Sequence, residues 1–247
     1  MYIQTPNLPK GSVCLAAVGE EYPEIISALK KQGIEIIVVS KDMRLERYER
    51  SHPDLRLCHL GNNEVMIYRE DNALFEVISK KVFNVLFAEN EIYAKYPRCA
   101  ALNALIIGNI FVCNKKAVDG KLFTEAQKRG YEVVFTSQGY SRCAACIVSE
   151  NAAITSDPAI YSALKDKIDV LKISAGHIRL ADTYDGMIGG CSAMIGKRLL
   201  AFCGDIEKHP DFDKIQKFLC KHDVKYICLS KDELIDVGTI IPLKIKE

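Results

Sequence analysis

The stretch "ISAGHIRLADTYDGMIGGCSAMIG", residues 173 to 196, brings together His177, two aspartates including Asp185, paired glycines and Cys191. An unperturbed histidine titrates near neutrality and can act as a general acid or base. A thiol becomes a nucleophile when such a neighbour lowers its pKa. Gly176, just before the histidine, permits an unusual backbone angle. The plain alternative is a hydrogen-bonded loop histidine, with Gly186, Gly189 and Gly190 serving only a tight turn or a close approach.

Other residues carry comparable chemistry. Cys143 and Cys146 form a CxxC. Residues i and i+3 of a strand face opposite ways, and no second pair completes a tetrahedral zinc site, so the motif reads as structural. Glu89 and Asn90 follow the strand-like "NVLFA". Asn103 and Asp185 flank further apolar segments. A carboxylate such as Glu89 suits a guanidinium or an ammonium through charge-assisted bonds, and a solvated loop end explains it equally well. His52 and His209, each followed by Pro-Asp, read as capping or surface residues.

A repeat of about 44 residues positions these groups. "YPRCAALNALIIGNIFVCN" from Tyr96 and "YSRCAACIVSENAAITSD" from Tyr140 both begin Y-x-R-C-A-A. Each continues as an apolar strand, a two-residue polar turn (108–109, 150–151) and a second strand, the order of a β-hairpin. Helical stretches over 119–130 and 157–167 follow, the second with Asp157 at its cap and Pro158 in its first turn. A short β-branched strand ends each unit. "CSAMIGKRLLAFCGD", a helix over 209–222 and "VKYICLS" make another copy, and "CHLGNNEVMIYRED" with its successors one more. The first copy lacks one strand, which "VGTIIPLKI" (237–245) can supply, removing a free sheet edge.

This gives an α/β architecture: one domain over 1–247 of five strand-strand-helix-strand units around a central axis. The units cover roughly 11–40 closed by 237–245, then 58–88, 99–137, 143–174 and 191–230. A doubly wound sheet competes at the N-terminus. However, Gly19 stands alone before two acidic residues, and no glycine-rich phosphate turn forms. Equivalent positions of a ring gather at its axis, so Cys99, Cys143 and Cys191 should approach the axial mouth. Cysteine as a small apolar side chain accounts for them too.

Composition narrows the partners. The chain has 247 residues, 49% hydrophobic, with 33 basic against 32 acidic residues. No basic block suggests nucleic acid, and no apolar run reaches the roughly 18 residues of a membrane span. Ten cysteines without a signal peptide point to reduced thiols in a cytoplasm.

The repeats and a few short segments resemble the pentein, or α/β-propeller, superfamily, which includes guanidino-group-modifying enzymes and a non-catalytic ribosome anti-association factor. "YPRCAALNALIIGN" is similar to the family's aromatic-x-Arg-Asp segment, with Cys99 where Asp is common. "GHIRL" is similar to its catalytic histidine segment, which falls on His177, with Arg179 where one form of the motif has a carboxylate. "HPDFDKIQKFL" and "DVGTIIPL" look closest to an uncharacterised bacterial branch. The family's nucleophilic Cys lies near the C-terminus; here Gly238 or Thr239 stands in that place. The resemblance implies a small polar ligand, guanidino or amino-acid-like, in an axial cavity, and deiminase- or hydrolase-type chemistry if the chain is catalytic. His177 would then be the acid–base, Cys191 or Cys143 the nucleophile, and Glu89, Asn90, Asn103 and Asp185 the ligand-binding residues. The alternatives are a non-catalytic binding protein and a thiol-rich axial metal site. No cofactor is expected, and the oligomeric state is left open.

Overall fold

The computed structural model describes residues 1–181 and 184–246. Its elements run in five units. The first holds β1 (Val13–Gly19), α1 (Pro23–Lys31) and β2 (Glu35–Val39); the second β3 (Leu57–Gly61), β4 (Glu64–Ile67), α2 (Asn72–Ser79) and β5 (Asn84–Phe87). The third holds β6 (Leu105–Ile107), β7 (Ile110–Cys113), α3 (Gly120–Lys128) and β8 (Glu132–Phe135); the fourth β9 (Cys146–Ser149), β10 (Ala152–Thr155), α4 (Pro158–Leu164) and β11 (Asp169–Lys172). A small hairpin, β12 (Arg179–Ala181) and β13 (Tyr184–Asp185), precedes the fifth unit of β14 (Ser192–Gly196), β15 (Leu199–Phe202), α5 (Phe212–Lys221) and β16 (Lys225–Cys228). The chain ends on β17 (Ile241–Ile245).

Each unit builds a three-stranded sheet. An antiparallel hairpin supplies two strands, and the strand after the helix returns parallel to the middle one. The first unit takes its missing strand from β17, which pairs antiparallel with β1 from Val13↔Ile245 to Ala17↔Ile241. β6, β7 and β10 are wholly buried, and β9 is buried except at Ser149, so they read as near-continuous apolar runs rather than alternating ones. The returning strands are half-exposed, as at β5 and β11. β14 packs beside both β9 and β17. No helix among the described residues is long and apolar enough to cross a membrane.

Local chemistry sets the boundaries. Gly108 has φ +55° in the two-residue turn between β6 and β7, a left-handed angle that favours glycine. Asp119 and Asp157 each accept two backbone N–H groups at the starts of α3 and α4. The stretches read as helical over 119–130, 157–167 and 209–222 are shorter at both ends. The last starts only at Phe212, because a 3₁₀ turn (Ile206–Lys208) and Pro210 precede it. The strand reading of the CxxC needs correction: Cys143 sits in a turn, and only Cys146 lies in β9. Cys99 likewise falls in a 3₁₀ turn (Arg98–Ala100) rather than a strand.

One buried ion pair ties the second unit together. Arg56 donates through Nε and Nη2 to the two oxygens of Asp71, both bonds at 2.7 Å, and donates also to the Ser40 carbonyl. Asp71 additionally caps α2 through the Leu74 N–H. Breaking such a pair leaves an uncompensated charge. Asp71→Ala is therefore expected to cost about 3–5 kcal/mol, read in urea denaturation, whereas Arg56→Met with Asp71→Leu should recover most of it. Equal losses in the single and double variants would contradict this account.

A buried polar centre and an open cleft

The connections between units converge on a polar centre. The loop from β2 to β3 ends in a 3₁₀ turn (Pro53–Leu55) that delivers Asp54, with its backbone N–H on the Gly238 carbonyl at 3.4 Å. The Cys143 thiol donates to Asp54 Oδ2 at 2.7 Å, and Asn103 Nδ2 lies 3.5 Å from the same sulfur. Asn103 Oδ1 accepts the backbone N–H groups of Arg142 and Cys143, which fixes the turn carrying both. Asp54 Oδ1 has no hydrogen-bond partner.

The Arg142 side chain runs into this centre. Its Nη2 donates to Thr239 Oγ1 at 2.7 Å, its Nη1 to the Ala145 and Gly189 carbonyls, and its Nε to Asn7 Oδ1. Thr239 has φ +63°, an uncommon angle for a β-branched residue, and its hydroxyl donates to the Ser192 carbonyl at 2.9 Å. Asp236 accepts the N–H groups of Met187 and Gly238 at 2.9 Å each. A Cβ on Gly190 would lie 1.9 Å from Asp236 Oδ1, so that glycine is required by space.

In the loop that leads to Asp54, Glu49 is buried, and the Tyr140 hydroxyl lies 3.1 Å from Cys99 Sγ. Tyr48, next in the loop, packs on Tyr184 of β13 with ring centroids 5.1 Å apart. His52 is only 3% exposed and its Nε2 lies 3.3 Å from the Tyr22 hydroxyl. Its reading as a surface residue is thus overturned, because the loop folds it inward under Tyr22.

Electrostatics follow from enclosure. Burial pushes Asp54 up to about 7 and Glu49 also to about 7, the first against the opposing hydrogen bond from Cys143. Burial and the Asp54 charge hold the Cys143 thiol well above its usual range. Cys143 is therefore a thiol donating to a carboxyl group, not a free thiolate. The void touching Asp54 and Arg142 measures about 20 Å³, which is room for one water and not for a ligand.

An open cleft of about 350 Å³ lies at the β12–β13 hairpin. His177, Arg179, Asp185, Lys208, His209 and Glu233 contribute to its walls. The His177 and His209 rings meet edge to face at 5.3 Å. His209 accepts the Asp211 N–H at 3.1 Å through Nδ1, but the N-cap of α5 is Asp211, and His209 is 4% exposed and not a surface residue. His177 and Asp185 thus share one cleft, and Asn103 and Cys143 share the buried centre. Cys191 lies beside the centre, between Gly190 and Ser192, but it is fully enclosed, its thiol donating to the Ile188 carbonyl and pushed up by burial. Glu89 and Asn90 stand elsewhere, their N–H groups both on Asp119 Oδ2 at the start of α3. Among the described residues, no thiol lines the cleft. Among the described residues, no group of three or more His, Cys, Asp or Glu side chains could hold a metal ion.

Sequence reasoning missed Glu49, Asp54, Arg142, Asp236 and Thr239 as a group. The available signals were the repeated Y-x-R-C, whose second copy holds Arg142, and the recurrence of His-Pro-Asp at 52–54 and 209–211, whose first copy holds Asp54.

The raised Asp54 has a measurable consequence. The native carboxyl keeps its proton up to about pH 7, while the unfolded one loses it near 3.8. Between those values the native state binds more protons, so this contribution is full at low pH and is lost as pH rises through 7. The stability of Asp54→Asn relative to the wild type should therefore improve from about pH 4 to pH 7 in urea denaturation. A flat difference across that window would contradict the assignment.

Compared with solved structures, the chain is similar to an amidinotransferase of the saxitoxin biosynthetic pathway from Microseira wollei: TM-score 0.62, 10% identity, covering 99% of this chain and 98% of that one. It is also similar to the inosamine-phosphate amidinotransferase of Streptomyces griseus, with TM-score 0.61, 9% identity and coverage of 99% and 97%. The agmatine deiminase of C. jejuni superposes with TM-score 0.57 at 10% identity, covering 100% and 97%. At such identities the likeness establishes the fold, a pentein-type α/β-propeller. No curated protein matches the sequence. The model described as Family of unknown function (DUF6873) matches residues 17–241, and the chain belongs to that family.

Proposed function

We propose that the protein binds a small amino-acid-like or guanidino compound in the cleft beneath the β12–β13 hairpin. The observation that carries this reading is the pairing of His177 with carboxylates and a cation around one open space of about 350 Å³. That volume lies in the range of small-molecule sites. Asp185 and Glu233 suit the cationic end of such a ligand, and Arg179 suits its carboxylate. Arg179 by itself would repel a guanidinium at short range, and a ligand that carries a carboxylate as well offsets that repulsion. His177, exposed on the wall, is the group available for proton transfer.

Binding without covalent turnover is the reading the geometry favours. A covalent route needs an accessible thiolate. Cys143 and Cys191 are both enclosed, and burial favours their protonated forms. A hydrolase- or deiminase-type reaction is the second reading. It is favoured by the fold's likeness to amidinotransferases and an agmatine deiminase. It would run through His177 acting on a ligand-borne water, or through opening of the loop over Cys143 and Asp54.

Isothermal titration with arginine, ornithine, agmatine and methylguanidine, alongside assays of ammonia and urea release, separates these readings. Arginine is expected to bind more tightly than agmatine, which lacks the carboxylate. Asp185→Asn should weaken arginine about tenfold or more, the usual scale for one charge-assisted bond. Arg179→Ala should erase the preference for arginine over agmatine, and Cys191→Ala should leave binding unchanged. Absence of binding across the panel would overturn the proposal. Ammonia or urea release abolished by His177→Ala would favour the second reading.

A further inference from the structure

The buried centre holds a charged group that needs a reason. Arg142 is 5% exposed, and no carboxylate among the described residues forms an ion pair with it. Guanidinium cannot shed its proton in a protein, and enclosing it without a close counter-ion is costly. Its acceptors nevertheless come from four separate places: Asn7 before β1, Ala145 before β9, Gly189 before β14, and Thr239 before β17. All three nitrogens are used. Asp54, which accepts from the neighbouring Cys143, attracts the group only once it ionises, at about pH 7. Packing here is tight: a Cβ on Gly189 would meet the Ala145, Arg142 and Cys143 carbonyls at 2.4 to 2.6 Å, and the void beside Arg142, about 20 Å³, has room for one water. An assembly of acceptors drawn from both ends of the chain around one planar cation is a built guanidinium site.

We infer that the centre of this protein is a guanidinium-binding site filled from within, the Arg142 side chain occupying it and excluding free guanidino compounds. Removing that side chain converts the centre into a receptor for small guanidinium ions. The inference is independent of the cleft proposal: it concerns a different site, predicts no ligand there in the wild type, and stands or falls on a different probe.

The test is thermal denaturation of wild type, Arg142→Ala and Arg142→Lys, with guanidinium chloride or methylguanidine at low millimolar concentration. Sodium chloride, ammonium chloride and urea serve as matched controls. Arg142→Ala is expected to lose stability and to regain about 3–5 °C in Tm with guanidinium at roughly ten times its Kd, saturably and with no response to ammonium or urea. Wild type should not respond. Arg142→Lys should fall below wild type and gain nothing, because an ammonium cannot reach acceptors spaced for a planar fork. A folded Arg142→Ala that shows no guanidinium-specific gain overturns the inference. Should Arg142→Ala fail to fold, nitrogen-15 NMR of the wild type decides. Separate, slowly exchanging Arg142 Nη signals that stay fixed during agmatine titration support the inference. Averaged Nη signals, or signals displaced by agmatine, overturn it.

Discussion

The pairing of the last strand with the first is the constraint on which the molecule depends. β17 completes the sheet of β1 and β2, and the amino terminus adds to it: the Met1 ammonium group donates to the Ile245 carbonyl and the Ile3 N–H to Leu243. Without that strand, β1 presents an unpaired edge, the site of unwanted association in β proteins. The same pairing fixes the segment just before it. Asp236, Gly238 and Thr239 reach the polar centre because β17 anchors them from behind. Fold completion and construction of the centre are therefore one event, and both depend on the docking of β17.

The centre is also where opposing charges are reconciled. One guanidinium lies near a set of acidic groups, Asp54, Glu49 and Asp236, beside a void with room for about one water. Two of the three carboxyls respond by holding protons to about pH 7. Hydrogen bonds do the remaining work: Asn103 orients the turn, and Cys143 donates to Asp54. Such a network specifies one arrangement of the connections, since each donor has a particular acceptor and few can be exchanged.

How far the sequence reveals this depends on the kind of signal. The five units were legible because their hairpin turns and apolar runs recur, and Gly108 and Asp157 announce a turn and a cap by residue type. The joining of residues 237–245 to the first unit was legible from the missing strand. Helix ends were less so, because Pro210 and the 3₁₀ turn before it displace the start of α5. Of the candidate groups, His177 and Asp185 meet in the cleft, and Cys143 and Asn103 meet in the centre. Two partners that give each pair its character, Asp54 for the centre and Glu233 for the cleft, lie far away in sequence. Periodicity reports which face of an element is buried; it carries no information on which inter-unit loops touch. His52 shows the limit well, since a His-Pro-Asp at a turn reads the same whether the loop folds outward or inward.

Thr239 draws these threads into a statement about which residues that position will accept. Its backbone angle suits glycine or asparagine, while its hydroxyl is required by both Arg142 and the Ser192 carbonyl. Glycine would relax the backbone and abandon both bonds; valine would keep the shape, retain the strain and bury an unanswered guanidinium nitrogen. Serine alone among the small side chains meets both demands. The allowed alphabet at 239 is thus about as narrow as at a catalytic position, for a reason that involves no catalysis.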